Sequence, residues 1–301
     1  MNKIAVGATI SGAYEFAFAG FLSVLGTVWF PFAILFIFDA GAVFLIAPDL
    51  PREIMHGQFD PSVLFGLRRV QGIVWLLGLV IRSMVTVGLQ ERALGRAHGP
   101  TFFYFSLGVP VWRMIGAMFL AIVALVFLAI LTVIVTAIVA TAAVKFGAHF
   151  GWAIAVIAII AAICWYIYAA VRLMFFLPAV VVAEEQIGLV RSWELGGGNF
   201  WRIVAVIFVV FVPVLIGLGM VWGAVVGPFI PFDLISHFHA NMSPDEANRL
   251  GTLFVKRLLQ EVRLALPFIV VFVIVQNLLF LGLGNGAVGK AYLSVIGKGA
   301  D

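Results

Sequence analysis

Long runs of uncharged residues constrain this chain most strongly. No Asp, Glu, Lys or Arg occurs in 16–38, 114–144, 203–232 or 264–289. Each run is longer than the roughly 20 residues that cross a 30 Å hydrocarbon core as an α-helix. Two further segments, which contain one Arg each, also qualify. We therefore predict an all-α integral membrane protein with six transmembrane helices, at about 17–47, 70–90, 112–143, 151–182, 201–231 and 265–296.

The composition supports a membrane protein and excludes a nucleic-acid binder. Hydrophobic residues make up 64% of the chain and charged residues 11%, whereas about a quarter of a soluble domain is charged. The 18 Lys and Arg residues face 14 Asp and Glu residues, and they form no basic stripe that could follow a nucleic-acid backbone. The single cysteine, Cys164, excludes an intrachain disulfide.

The chain, 1–301, is predicted to form one transmembrane domain with an internal repeat offset by about ninety residues. Ile81-Arg82-Ser83-Met84 matches Val171-Arg172-Leu173-Met174, and the next spans open with Trp112-Arg113 and Trp201-Arg202. Each unit is a span, an interfacial segment and a second span. Because the matched spans run in the same direction, a parallel repeat is expected. The predicted units cover about 70–143 and 151–231.

Three connecting segments are predicted to lie on the membrane surface as interfacial amphipathic segments. The connections 91–112 and 184–201 are polar yet rich in aromatic residues. The third segment, 232–264, contains Ser243-Pro244-Asp245-Glu246, a capping box that should start an amphipathic helix. Tryptophan and arginine favour the depth of the lipid headgroups. The candidate contacts to lipid or to a partner are Trp112, Arg113, Arg191, Trp201 and Arg202.

Three charged residues, Asp39, Arg82 and Arg172, interrupt the apolar spans. Each costs roughly 2.5–3.5 kcal/mol at the centre of a membrane helix, so each needs a partner. With a short loop between the first two spans, Asp39 and Arg82 would differ in depth by about 6 Å and could form a structural ion pair. Arg172 has no acid at its own depth. The surplus positive charge of this intramembrane site would suit an anionic headgroup.

Short motifs indicate no catalytic residue, no cofactor and no metal site. A phosphate-loop-like sequence occurs at Gly284-Asn285-Gly286-Ala287-Val288-Gly289-Lys290. A predicted membrane helix precedes it and Ala291 follows the lysine, so it lacks the strand and the Ser or Thr of a phosphate loop. Its small residues would instead let the last span approach a neighbour, with Gly219, Gly223 and Gly227 of the fifth span as the candidate surface. His237 and His239 near Asp233 lack the further ligands that a zinc site needs.

The region from Arg172 to Arg202 carries a family resemblance. Its shared residues are Arg172, Pro178, Glu184-Glu185, Gly188, Arg191-Ser192, Leu195, Gly198 and Trp201-Arg202. This pattern resembles bacterial inner-membrane proteins of the YciC type and the membrane domain fused to some glycerophosphodiester phosphodiesterases. The resemblance implies a multi-pass protein of a bacterial inner membrane with cytosolic termini. We expect neither a cleaved signal peptide nor the hydrolase activity, because the chain ends at Asp301 without a soluble barrel.

The sequence leaves two functions open. The first is a non-enzymatic inner-membrane protein that binds or organises lipid, or that joins a membrane-protein partner or a homo-oligomer. The second is a transporter or channel for a small anionic or amphiphilic solute, which the repeat and the buried arginines favour. No span carries the paired Gly and Pro interruption that is typical of a transporter site.

Overall fold

The computed structural model describes residues 2–46, 62–97, 102–146, 150–230, 232–235 and 242–297. All regular secondary structure in these ranges is helical, and six helical segments are long and apolar enough to cross a membrane. The predicted all-α class and the six spans are therefore confirmed. The α-helices are α1 Val6–Tyr14, α2 Phe21–Ile46, α3 Ser62–Ala93, α4 Val109–Phe146, α5 Gly151–Met174, α6 Leu177–Ala183, α7 Leu189–Gly196, α8 Phe200–Val226, α9 Phe232–Ile235 and α10 Pro244–Ile296. A π-helical turn, Glu15–Ala19, follows α1, and a 3-10 turn, Gly227–Phe229, follows α8.

Both ends of the chain meet on one side of the bundle, which we call the terminal side; the opposite side is the far side. The backbone N–H of Asn2 donates to the carbonyl of Val295 at 3.4 Å. Helix α1 packs along the last turns of α10, and α7 packs on α5 and α6 at the same end.

The core lies in the terminal-side halves of the spans. Buried apolar side chains of α3, α4, α8 and α10 fall at 81–93, 111–121, 203–210 and 278–295. Towards the far side, α4 and α5 pack mainly on each other and expose most of their large apolar side chains. Where the structure describes side-chain burial, the helices are therefore more buried on the terminal side and expose more apolar surface towards the far side.

Glycines let α10 approach its neighbours closely. A Cβ on Gly286 would lie 3.2 Å from the Cα of Ala13, and one on Gly289 would lie 2.7 Å from the Cβ of Ala93. This region is helical, so its small residues serve packing, as the sequence predicts. The predicted partner surface is wrong, because a Cβ added to Gly219 or Gly223 would meet no atom of a described neighbour within 4 Å.

Helix α10 begins at the predicted capping box. The Ser243 hydroxyl accepts from the Glu246 N–H, and the Glu246 carboxylate accepts from the Ser243 N–H at 3.2 Å. The helix then continues through Pro267 for 53 residues, about 80 Å at 1.5 Å per residue. The helix that was predicted to start in 232–264 is therefore continuous with the last span despite Pro267, and its position on the membrane surface stays a prediction.

The two predicted interfacial connections differ in structure. In the first, residues 98–101 lie outside the described part, and 102–107 contain no helix. In the second, α6 and α7 form two short helices. Trp112 and Trp201 stand in the first turns of α4 and α8. The twofold repeat stays a prediction.

Candidate functional site

A cavity of about 700 Å³ lies between α2, α3, α4 and α10. On each contributing helix, most lining residues are three or four positions apart, because such residues lie on one face of a helix. The lining is Phe32, Leu35 and Asp39 of α2, Val74, Trp75, Gly78, Leu79, Arg82, Val85 and Thr86 of α3, Met118 and Ile122 of α4, and Asn277 and Leu281 of α10.

Asp39 and Arg82 both line the cavity, but their side chains do not form an ion pair. Among the described residues, no ion pair of 4.0 Å or less joins the two side chains. A Cβ on Gly78 would lie 3.9 Å from the Leu35 side chain, so these two positions share one level. Asp39 lies one turn beyond that level towards the far side and Arg82 one turn towards the terminal side, a stagger of about 12 Å. The predicted direct ion pair is therefore wrong.

The early start of α3 acts in the direction of this stagger. The sequence-based estimate began the second span at 70, whereas the helix begins at Ser62. Arg82 consequently lies farther from the far-side end of its helix than the short-loop geometry assumed. The Asp39–Arg82 depth difference is about twice the predicted value.

Neither charged group has a protein partner within the described part of the chain. The Asp39 Oδ1 atom is buried and has no hydrogen-bond partner there. The Arg82 side chain is exposed, and no hydrogen bond from its guanidinium is seen among the described residues. Thr86 and Asn277 add polar atoms to the same wall. The volume is within the 300–1,000 Å³ range of typical ligand pockets.

A second, almost purely apolar cavity of about 590 Å³ adjoins the first. It lies between α2 and α10, and Phe32 and Asn277 belong to both walls. Its other lining residues are Leu25, Val28, Trp29, Ala33, Phe36, Ile269, Val270, Val273, Ile274 and Leu278. The two cavities together place a mostly apolar cavity that contains Asp39 and Arg82 beside an almost purely apolar one.

Arg172 does not belong to this cavity. Its guanidinium donates to the Tyr168 hydroxyl and to the Trp193 carbonyl, both at 2.8 Å. The guanidinium carbon also lies 4.1 Å from the centroid of the Trp193 ring, a cation–π contact. The predicted three-residue charge site is therefore wrong. Arg172 holds α7 against α5, and the charged residues that line the cavity are Asp39 and Arg82.

The interfacial arginines also have protein partners. Arg191 pairs with Glu184 at 3.1 Å and with Glu194 at 3.4 Å. The hydrogen bond to Glu184 raises the pKa of Arg191 most, partly opposed by burial. Arg113 pairs with Glu185 at 3.4 Å, and Arg202 donates to the Ile4 carbonyl at 2.7 Å. These contacts favour a structural role, while Trp112 and Trp201, 58% and 78% exposed, remain open to lipid.

Glu184 connects this interfacial network, a role that sequence reasoning did not predict. Besides Arg191, its carboxylate accepts from the Tyr292 hydroxyl at 3.0 Å and from the Gln186 amide at 2.8 Å. Arg96 donates to the carbonyls of Val182 and Ala183 at 2.7 and 2.6 Å. The sequence signals were its place at a span exit and in the YciC-type motif, and neither identifies a partner on the last span.

Other polar residues occupy separate places. Thr132 and Thr136 line a third cavity, about 470 Å³, between α4 and α5. Gln276 accepts from the Trp222 indole at 3.0 Å. Asp233 pairs with Arg257 at 2.6 Å, and His237 and His239 lie outside the described residues. Within the described ranges, no group of three His, Cys, Asp or Glu side chains could hold a metal ion.

Comparisons with known protein families, with curated proteins and with solved structures found no match to this chain. The resemblance to YciC-type proteins therefore stays a prediction from the motif.

Proposed function

We propose that this protein is a non-enzymatic bacterial inner-membrane protein that binds lipid inside the bilayer. The observation that carries the proposal is the cavity in which Asp39 and Arg82 face the same space without pairing. Unpaired charges at this depth are expensive, and a polar headgroup would satisfy them. The adjoining apolar cavity offers the matching surface for a hydrocarbon chain.

The location within the cell is also part of the proposal. The YciC-type motif supports a bacterial inner membrane and cytosolic termini, in which case the far side would face the periplasm. A membrane-protein partner or a homo-oligomer stays a prediction. The exposed apolar faces of α4 and α5 are compatible with lipid and with another helix.

Lipid binding is tested by purification in mild detergent and native mass spectrometry. We expect the wild type to retain phospholipid, and Arg82→Gln to retain about tenfold less, because a charge-assisted bidentate contact is lost. Arg249→Gln removes the same charge from an exposed position outside the cavity and should retain lipid like the wild type. Absence of lipid from the wild type, or equal retention by both variants, would contradict the proposal.

One observation favours the alternative, a transporter for a small anionic or amphiphilic solute. Arg82 lies near the middle of the span Val74–Ala93, and transporters place their binding sites near the bilayer midplane. Reconstituted protein would then move a fluorescent phospholipid analogue between leaflets, and Arg82→Gln would abolish the movement. Lipid retention without movement favours simple binding.

A further inference from the structure

The charge balance of the cavity favours a particular headgroup. Asp39 and Arg82 are the ionisable side chains among the described residues that line it. A purely anionic ligand would pair with Arg82 but would leave the Asp39 carboxylate without a counter-charge. A purely cationic ligand would leave Arg82 unpaired. Only a group that carries both charges satisfies both residues, because an unpaired charge in a low-dielectric site is costly.

The order of the two charges along the membrane normal is equally informative. Asp39 lies seven residues before Ile46, where α2 ends on the far side, whereas Arg82 lies about two turns farther towards the terminal side. In an aminophospholipid of the far-side leaflet, the ammonium group is joined to the phosphate through two carbons, on the side of the phosphate opposite the acyl chains. That order matches an acid closer to the far side and an arginine closer to the terminal side. Guanidinium also offers the planar pair of donors that phosphate accepts.

The apolar cavity continues the same order. It extends towards the far side as far as Phe36 on α2 and Ile269 on α10. From the shared wall at Phe32 it also reaches along α2 to Leu25, which is towards the terminal side and therefore deeper for a lipid of the far-side leaflet. Acyl chains of a far-leaflet lipid point in this direction. The lining of this cavity is almost wholly apolar, as a hydrocarbon chain requires.

We infer that the two cavities bind one zwitterionic aminophospholipid of the far-side leaflet. Its phosphate lies at Arg82, its primary ammonium group at Asp39, and one acyl chain between α2 and α10. This inference rests on the proposed lipid binding and specifies the headgroup class. It replaces the anionic headgroup that two intramembrane arginines had indicated, because Arg172 is bound elsewhere.

The headgroup is tested by competition between two phospholipids with identical chains, followed by native mass spectrometry. We expect the wild type to retain phosphatidylethanolamine about tenfold over phosphatidylglycerol, since only the former offers an ammonium group to Asp39. Asp39→Asn, which keeps the shape of the side chain, should abolish this preference and still retain phospholipid. Arg82→Gln should weaken the retention of both lipids, and Arg249→Gln should change neither.

The chain site is tested by filling the apolar cavity. Ala33→Phe should lower the retention of both phospholipids, whereas Ala140→Phe, the same substitution in the cavity between α4 and α5, should not. Glycerophosphoethanolamine carries the same headgroup without chains. It should fail to displace the lipid at equal concentration; displacement at that concentration would overturn the lipid assignment in favour of a soluble zwitterion.

The outcomes separate this inference from the proposed function. A wild type that retains no phospholipid contradicts both. Phospholipid retained without preference between the two headgroups, or a preference that survives Asp39→Asn, overturns the zwitterion and leaves lipid binding in place. Retention that Ala33→Phe and Ala140→Phe affect equally removes the chain site between α2 and α10.

Discussion

Arg172 shows how an intramembrane arginine can find partners without an acid, although its buried Nε atom has no hydrogen-bond partner among the described residues. Its guanidinium donates to a hydroxyl and to a backbone carbonyl, and its flat face lies against the Trp193 ring. Planar geometry allows guanidinium to make these contacts at the same time, which a lysine ammonium group cannot do. The residue is therefore an anchor for α7, and its charge need not be neutralised by a ligand.

We expect Arg172→Lys to lower the free energy of unfolding by about 2 kcal/mol, because hydrogen bonds from a charged group and the ring contact are lost. Thermal unfolding in detergent would show a lower Tm. Arg249→Lys, at an exposed site on α10, is the matched control and should leave the Tm unchanged. Equal Tm values for the two variants would contradict the anchoring role.

Tyr104 offers a test by pH at the terminal side. Burial, with a smaller contribution from the Glu91 charge, raises the pKa of Tyr104 to about 12 from the usual value of 10.0. The folded protein therefore keeps this proton between pH 10 and 12, where the unfolded chain has lost it. The stabilising contribution of Tyr104 is complete below pH 10 and is lost as pH rises to 12.

Tyr104→Phe should remove this part of the pH dependence. Denaturation in detergent at pH 9 and at pH 11.5 should show a larger loss of stability for the wild type than for the variant. Tyrosinate absorbance should show one fewer late-titrating group in Tyr104→Phe. Parallel losses of stability in the two proteins would contradict the raised pKa.

The intramembrane charged residues could be predicted from the sequence, but their partners could not. Asp39, Arg82 and Arg172 stand out because the surrounding residues are apolar and a charge there is costly. Their pairing depended on where α3 begins, and hydropathy placed that start at 70 because Arg68-Arg69 ends the apolar run. The helix continues past these arginines to Ser62. The Trp193 carbonyl that binds Arg172 leaves no trace in a sequence pattern.

At the scale of the element, the predicted span 151–182 is divided into α5 and α6 just before Pro178, a natural kink site. The apolar segment is unbroken in sequence, and the predicted span ran through 151–182. Pro178 lies at the start of α6, where proline is tolerated because the first helical N–H groups have no partner in the helix. The Ser192 hydroxyl donates to the Leu173 carbonyl at 2.8 Å. A polar residue of α7 thus satisfies a carbonyl beside the break.

The contact between α3 and α10 depends on Gly289. In an isolated helix, Gly to Ala is stabilising by up to about 1 kcal/mol. Here we expect the opposite, a loss of about 1–3 kcal/mol, because the new methyl group would lie 2.7 Å from the Ala93 Cβ and 3.3 Å from its carbonyl carbon. Thermal unfolding in detergent measures the change.

Gly223→Ala in α8 is the matched control for Gly289→Ala, since no described neighbour lies within 4 Å of the added methyl group. It should leave the stability unchanged or raise it slightly. If Gly223→Ala destabilises as strongly as Gly289→Ala, the two glycine surfaces pack differently from this arrangement.

At the scale of the whole molecule, one half of the bundle carries the core. Buried side chains concentrate on the terminal side, where α1, α6 and α7 add to the spans. Towards the far side the helices expose apolar surface, which lipid can cover at little cost because hydrocarbon tails are as apolar as leucine. Binding space therefore arises where the spans separate, and Asp39 and Arg82 lie at the start of that opening.

This arrangement makes a prediction about topology. Lys3 is exposed close to the Asn2–Val295 contact on the terminal side, and Ser243 is exposed at the other end of α10. Five of the six spans separate the two positions along the chain, so an odd number of crossings places them on opposite sides.

In a Cys164→Ala background, an impermeant maleimide should label Ser243→Cys in intact spheroplasts and Lys3→Cys only after lysis. Permeabilised samples should label both, which controls for reactivity. Labelling of both cysteines from one side would contradict six crossings, whereas labelling of Lys3→Cys alone before lysis would keep six crossings and reverse the proposed cytosolic location of the termini.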